Sequence, residues 1–228
     1  MIYIGLLIPF IGTIIGSLFV FFIKNEFNKK NEAILLSLAA GIMFAASIWS
    51  LILPSIEMGG VYSTIIGIVL GILFFSFIKC NNSKMFFAVT LHNIPEGMAV
   101  AVCFLSLLVN NNNISLISCF MLSIGIALQN IPEGAIISLP LCNKGYSKNK
   151  SFLYGVLSGI VEPLFGLLTI LLTGIVVPIL PYLLGFAAGA MIYVCIEELI
   201  PEASFYKYST LFFSIGFIIM MFLDVIFG

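Results

Sequence analysis

His92-Asn93-Ile94-Pro95-Glu96-Gly97 and Gln129-Asn130-Ile131-Pro132-Glu133-Gly134 are two copies of one polar hexapeptide, each set in an otherwise apolar stretch. A charged side chain at the centre of a bilayer costs roughly 2.5–3.5 kcal/mol even on the most lenient insertion scale. Accepting that cost at Glu96 and again at Glu133, in matching sequence, points to a use. The two copies read as the two halves of one intramembrane cation site.

Composition fixes the solvent. The chain has 228 residues, of which 61% are hydrophobic and only 8% charged, and its nine basic residues are all lysines. No soluble domain of this length hides so much apolar side chain, so the expected class is an all-α integral membrane protein. The net charge of −1 says little about partners, and no basic run suggests nucleic acid. The chain opens on Met1-Ile2-Tyr3-Ile4 without a basic region or a small-residue cleavage site, which reads as a retained first span. Five cysteines (80, 103, 119, 142 and 195) show no CxxC pairing, and three fall in hydrophobic segments. Neither a disulfide framework nor a cysteine metal site is expected from them.

Apolar stretches between short polar breaks predict eight transmembrane helices over roughly 2–23, 33–53, 60–79, 84–109, 114–141, 151–174, 180–200 and 207–227. Residues 1–228 then form a single transmembrane domain, with Asn110 to Asn113 as a polar turn. Lys24, Lys29 and Lys30 follow the first helix, and Lys79 and Lys84 flank the break after the third. Lys144, Lys148 and Lys150 follow the fifth, and Lys207 follows the seventh. All nine therefore fall on one face. The positive-inside rule makes that face cytoplasmic and leaves both termini outside.

Under this topology the fourth helix runs outward and the fifth inward, so the two hexapeptides are antiparallel and have inverted-repeat character. A second pair points the same way: Ala39-Ala40-Gly41-Ile42-Met43 in the second helix and Ala187-Ala188-Gly189-Ala190-Met191 in the seventh. Inverted repeats are a habit of secondary transporters, whose substrate sites sit near midplane. Small residues also serve ordinary close packing of membrane helices, and this second match is open to both readings.

Spacing decides which side chains meet. His92 and Glu96 lie four residues apart on one helical face, as do Gln129 and Glu133. Asn93 with Glu96, and Asn130 with Glu133, lie three apart and flank those faces. Each glutamate can thus serve two adjacent ligand sets. Pro95 and Pro132 free the carbonyls of Leu91 and Leu128 for a cation or a water. A third carboxylate, Glu162 beside Pro163, arrives mid-span on the sixth helix. Imidazole, carboxylates and amides together suit a borderline-to-hard divalent metal such as Zn²⁺, Mn²⁺ or Fe²⁺. Against this stands a plainer reading, in which the prolines only kink, the histidine only packs, and a buried glutamate is simply protonated. Convergence weighs against it, because Glu96, Glu133 and Glu162 have no lysine at their depth to neutralise them.

These residues resemble the ZIP (Zrt/Irt-like) family of divalent metal transporters, nearest its bacterial branch. The resemblance rests on the two hexapeptides, on Glu162-Pro163, and on Glu197-Glu198-Leu199-Ile200-Pro201-Glu202 closing the seventh helix. It covers essentially the whole chain. It implies a plasma-membrane transporter, not an enzyme, that moves Zn²⁺ (or Mn²⁺, Fe²⁺ or Cd²⁺) into the cytoplasm. It further implies a binuclear centre, with His92, Glu96, Gln129 and Glu133 around one metal. Asn93, Asn130 and Glu162 would join the shared glutamates around the second. Helices 1, 4, 5 and 6 would slide against the others in an elevator-like motion, and a homodimer is one assembly open to the chain. Gln129 stands where many relatives carry a second histidine, and Asn130 where some carry an acid. Only Cys80-Asn81-Asn82-Ser83 remains of the histidine-rich loop that many members have between helices 3 and 4.

Seven acids lie outside the hexapeptides and Glu162, and four of them are singled out. Glu57, past Pro54, is either an entrance residue or a solvated loop acid. Glu197 and Glu198 near the cytoplasmic end of the seventh helix are either an exit relay or hydrated interface acids, and Asp224 is placed in the outer interface. A proton- or sodium-coupled antiporter is the competing class, since it too would use buried carboxylates. An intramembrane metalloenzyme is disfavoured by the single histidine and the absence of H-E-x-x-H.

Overall fold

The computed structural model describes residues 1–22, 28–77, 84–108 and 115–227, and among them every regular element is a helix. In chain order these are α1 (Ile2–Phe22), α2 (Lys29–Ala46), α3 (Leu53–Phe77), α4 (Lys84–Leu108), α5 (Leu116–Asn143), α6 (Lys148–Gly159), α7 (Val161–Leu171), α8 (Thr173–Val194), α9 (Ile200–Ala203) and α10 (Ser209–Phe227). Three of them start at polar caps. Asn28 accepts a hydrogen bond from the Lys30 amide, Ser115 from Ser118 and Ser147 from Lys150. Six helical stretches are long and apolar enough to cross a membrane by length and composition: 2–22, 29–77, 116–143, 148–171, 173–203 and 209–226, with a shorter apolar helix at 89–105. The protein is a multi-pass membrane protein.

The element boundaries differ from the expected ones in three places. Residues 54–59 are not a loop: the stretch from Lys29 to Phe77 is helical on both sides of a kink at Gly60, where two helices meet. Within it, Ser47–Ile52 form a π-helical turn and Gly60 alone leaves helical geometry (φ 79°, ψ 173°), a conformation open to glycine. The expected sixth helix is divided at Ile160 into α6 and α7. The break expected between residues 174 and 180 lies inside α8, which also contains Pro178 and Pro181. The chain turns earlier, at Leu172, where the Thr173 hydroxyl donates to the carbonyls of Thr169 and Ile170. The Asn110–Asn113 turn, the 80–83 remnant, Lys24 and Lys79 lie outside the described residues.

The cysteine expectation is overturned at one pair: Cys103 of α4 and Cys119 of α5 form a disulfide, with Cα atoms 5.7 Å apart. Short-spacing rules miss it because the two residues, 16 apart in sequence, are brought together by the packing of α4 on α5. Cys142 and Cys195 are free.

The helices pack as two sets that meet chiefly along α4 and α8. In one, α1 lies along α5, α4 along α7, and α6 against both α1 and α5; in the other, α3 lies along α8 and α2 along α10. The glycines that close each sequence motif seat these contacts. At Gly97 the place of a side chain is taken by the Glu162 backbone of α7, and at Gly134 by the backbone of Thr13 and Ser17 of α1. Gly41 similarly meets the Phe213 backbone of α10, while Gly189 meets Ile68 of α3. The pattern is symmetric: α1 on α5 matches α7 on α4, and α2 with α10 matches α8 with α3. A second π-helical turn, Cys195–Leu199, extends α8. Each π turn begins eight residues after the first alanine of its Ala-Ala-Gly motif, Ser47 after Ala39 and Cys195 after Ala187. Shared packing and shared turns decide the second sequence match in favour of symmetry.

This packing makes Gly16 of α1, which faces the Ile131 carbonyl of α5, intolerant of a side chain, whereas Gly174 has open space. Gly16→Val is expected to lower the thermal unfolding midpoint of the detergent-solubilised protein, and Gly174→Ala to leave it unchanged. Overpacking of about 1–3 kcal/mol corresponds to roughly 2–4 °C per kcal/mol at this chain length. Equal midpoints for the two variants would contradict the close α1–α5 contact.

Candidate metal centre

Seven polar side chains meet where α1, α4, α5, α6 and α7 converge. His92, Asn93 and Glu96 come from α4, Gln129, Asn130 and Glu133 from α5, and Glu162 from the first turn of α7. None is more than 2% exposed. The four-residue spacing brings His92 Nε2 within 3.0 Å of Glu96 Oε1, and the helix pairing brings it within 3.5 Å of Glu133 Oε1. The amide nitrogen of Gln129 stands among these three groups, donating to Glu96 Oε1 at 2.6 Å and to Glu133 Oε1 at 3.3 Å, 3.0 Å from His92 Nε2. The paired hexapeptides thus assemble one polar cluster.

The other three residues are held from behind. Asn93 Nδ2 donates to the Ser158 carbonyl of α6 at 3.0 Å, and Asn130 Nδ2 to the Pro9 carbonyl of α1 at 3.3 Å. These bonds orient both amides, leaving each Oδ1 turned away. Thr13 Oγ1 donates to Glu162 Oε1 at 3.2 Å. Thr13, Pro9 and Ser158 were not among the predicted site residues. The only sequence hint of α1's involvement was its run of small residues, Gly12-Thr13 and Gly16-Ser17, which alone says no more than close packing.

After these bonds, each of the seven still has one buried atom without a partner: His92 Nδ1, Asn93 Oδ1, Glu96 Oε2, Gln129 Oε1, Asn130 Oδ1, Glu133 Oε2 and Glu162 Oε2. An unpaired buried acceptor costs about 1–3 kcal/mol. A cluster kept only for helix packing would not hold so many. All seven are atom types that ligate divalent metals. Among the described residues, no group of three or more His, Cys, Asp or Glu side chains is by itself arranged to hold a metal ion. Gln129 shares the space of the carboxylates and the imidazole, and Asn93 and Asn130 lie three residues from the glutamates.

A cavity of about 630 Å³ adjoins the cluster and is lined by Glu96, Trp49, Ser50, Glu57, Cys103 and Asp224 among others. It lies on the lysine-free side, between the end of α2, the second half of α4 and the end of α10. Glu57 is exposed on α3 rather than in a loop. Asp224 is more than an interface acid: its Oδ1 accepts from Ser50 Oγ at 2.7 Å while its Oδ2 is buried without a partner. On the lysine-bearing side, Ile136 and Ile137 of α5 share a core with Leu36 and Ala40 of α2 and with Leu199. There Asn143 Nδ2 also donates to Glu32 Oε2 at 3.2 Å. Glu197 is exposed and Glu198 half-buried, both on the second π turn toward that side.

The sequence profile of the family described as ZIP zinc transporter matches residues 85–224, which contain all seven residues of the cluster. The chain is 44% identical to the human zinc transporter ZIP11 over 141 residues, covering 60% of this chain and 41% of that protein. It is 33% identical to the zinc transporter GufA of Myxococcus xanthus over 154 residues, covering 66% of this chain and 58% of that protein. With the zinc transporter ZIPB of Bordetella bronchiseptica it is 31% identical over 254 aligned residues, covering 96% of this chain and 79% of that protein. The match to the ZIP11 proteins spans about two fifths of their length. With the profile covering more than half of its residues and the hexapeptides at the heart of the match, the chain belongs to the ZIP family of zinc transporters, which are not enzymes.

Proposed function

We propose that this protein carries a divalent metal ion, zinc foremost, across the plasma membrane into the cytoplasm through a binuclear site. The observation that carries this reading is the set of seven buried, unpartnered ligand atoms on α4, α5 and α7. His92 Nδ1, Glu96 Oε2, Gln129 Oε1 and Glu133 Oε2 offer one ion two carboxylates, an imidazole and an amide, a donor set that suits borderline Zn²⁺. Asn93 Oδ1, Asn130 Oδ1 and Glu162 Oε2, with the shared glutamates, offer a second ion an all-oxygen shell. Mn²⁺, Fe²⁺ and Cd²⁺ are the other candidate substrates. The named activity of ZIP11, GufA and ZIPB supports zinc as the first choice.

Eight crossings with both termini outside accommodate the helices, with α6 and α7 sharing one crossing. The cavity then faces outward and would admit the ion past Glu57 to Glu96, while the contacts among Ile136, Ile137 and Leu199 bar the inner side. Release would pass Glu197 and Glu198. Two internally close-packed helix sets support an elevator-like step in which α1, α4, α5, α6 and α7 move as one body, carrying both hexapeptides.

In proteoliposomes, Zn²⁺ uptake by the purified protein is expected to fall to background in Glu96→Ala and in Glu133→Ala, with both variants still inserted. Near-normal uptake by both would sink the binuclear reading. Proton flux without any metal movement would favour the antiporter class instead.

Gln129→His adds a borderline nitrogen donor facing His92, so uptake in competition is expected to move toward Zn²⁺ and away from Mn²⁺. An unchanged preference would show that residue 129 does not touch the ion.

Orientation is checked by thiol labelling of intact cells after Cys80, Cys142 and Cys195 have been replaced. A cysteine introduced at Asn111 is expected to react with a membrane-impermeant reagent, and one at Asn149 to be spared. The inverse pattern would turn the protein over, put Glu197 and Glu198 at the outer mouth and remove the ground for reading the transport as import.

A further inference from the structure

The outer cavity contains a carboxylate that neither the seven-residue cluster nor the paired motifs explain. Asp224 sits near the end of α10, half-buried, with Oδ1 held by the Ser50 hydroxyl at 2.7 Å. Ser50 belongs to the first π turn, Ser47–Ile52, and widened turns of this kind are frequent at functional sites. The Oδ2 atom of Asp224 is buried and bonded to nothing, as is Oε2 of Glu96, which lines the same cavity and is 2% exposed. Asp224 lies within electrostatic reach of Glu96.

The cavity lining carries three carboxylates, Glu57, Asp224 and Glu96, and no lysine or histidine. Most of the remaining lining is apolar, including Leu53, Met58 and Leu184. Acids of one sign between low-dielectric walls focus the field and raise the local cation concentration. The three also form a series in burial: Glu57 is exposed, Asp224 is half-buried and Glu96 is closed off. An ion passing down this series exchanges water for protein oxygen one step at a time.

We propose that Asp224, oriented by Ser50, is a capture site for divalent cations in the outer cavity, handing the ion to Glu96. Here Asp224 supplies a free carboxylate oxygen, and Ser50 fixes its rotamer so that this oxygen rather than the other is offered. The site rests on the transport reading given above, and it governs how readily an ion enters rather than how tightly the buried centre holds it.

The experiment measures initial rates of Zn²⁺ uptake into proteoliposomes across a range of Zn²⁺ concentrations. Asp224→Asn is expected to raise KM roughly three- to ten-fold, a fraction of what electrostatic focusing contributes to association rates, with the maximal rate within about two-fold. Asp224→Glu keeps the charge and should retain a KM near that of the unaltered protein. Ser50→Ala removes the hydrogen bond but leaves the carboxylate, so its KM should stay within about two-fold, well below the shift in Asp224→Asn. An unchanged KM in Asp224→Asn overturns the proposal. So does a fall in maximal rate shared by Asp224→Asn and Ser50→Ala, because that would make the pair a strut between α2 and α10. If Asp224→Asn does not fold, Asp224→Glu and Ser50→Ala decide: loss of function in both again identifies a strut. Absence of uptake by the unaltered protein would instead refute the transport reading itself.

Discussion

Three carboxylates share one buried pocket with a single imidazole, and the rest of the architecture follows from keeping them there. Bringing Glu96, Glu133 and Glu162 out of water is unfavourable unless something neutralises them, and helix association in a membrane cannot rely on the hydrophobic effect to compensate. Close backbone packing holds the pocket together instead. Gly97 lets α7 approach until Glu162 stands beside the α4 ligands, and Gly134 does the same for α1 and Thr13. The glycine that ends each hexapeptide is therefore as much a part of the site as the glutamate before it. It decides which third helix reaches the cluster.

The symmetry of the chain has a physical use. Each Ala-Ala-Gly motif lays a neighbouring helix against its own and is followed, at the same interval, by a widened turn. One such turn lies on the lysine-free side and presents Ser50 to Asp224; the other lies on the lysine-bearing side and carries Glu197 and Glu198 itself. The same backbone device thus addresses both faces, with different chemistry on each.

Much of this was legible in the residues. Antiparallel hexapeptides with polar side chains three and four apart determine which atoms meet, because helix geometry turns spacing directly into proximity. His92, Glu96, Gln129 and Glu133 are brought together for that reason. Thr13, Pro9 and Ser158 were hidden because their role comes from contacts 65 or more residues away in sequence, two of them through backbone carbonyls that every residue possesses. The expected breaks at 54–59 and 175–179 each hold a proline, and the structure keeps both Pro54 and Pro178 inside helices. Membrane helices tolerate proline, and here the chain turned at Leu172 and bent at Gly60 instead. Asp224 was placed in the interface because nothing local shows that Ser50 stands opposite.

The Cys103–Cys119 bond joins the two hexapeptide helices on the side away from the lysines. Thiols in the cytosol are kept reduced, whereas disulfides persist outside it. Redox chemistry therefore bears on orientation independently of charge. The bond also means that the ends of α4 and α5 cannot part, so any displacement of one hexapeptide must carry the other with it. Under reducing conditions that constraint disappears, and beyond the chain that joins them the halves of the pocket would be tied by noncovalent contacts.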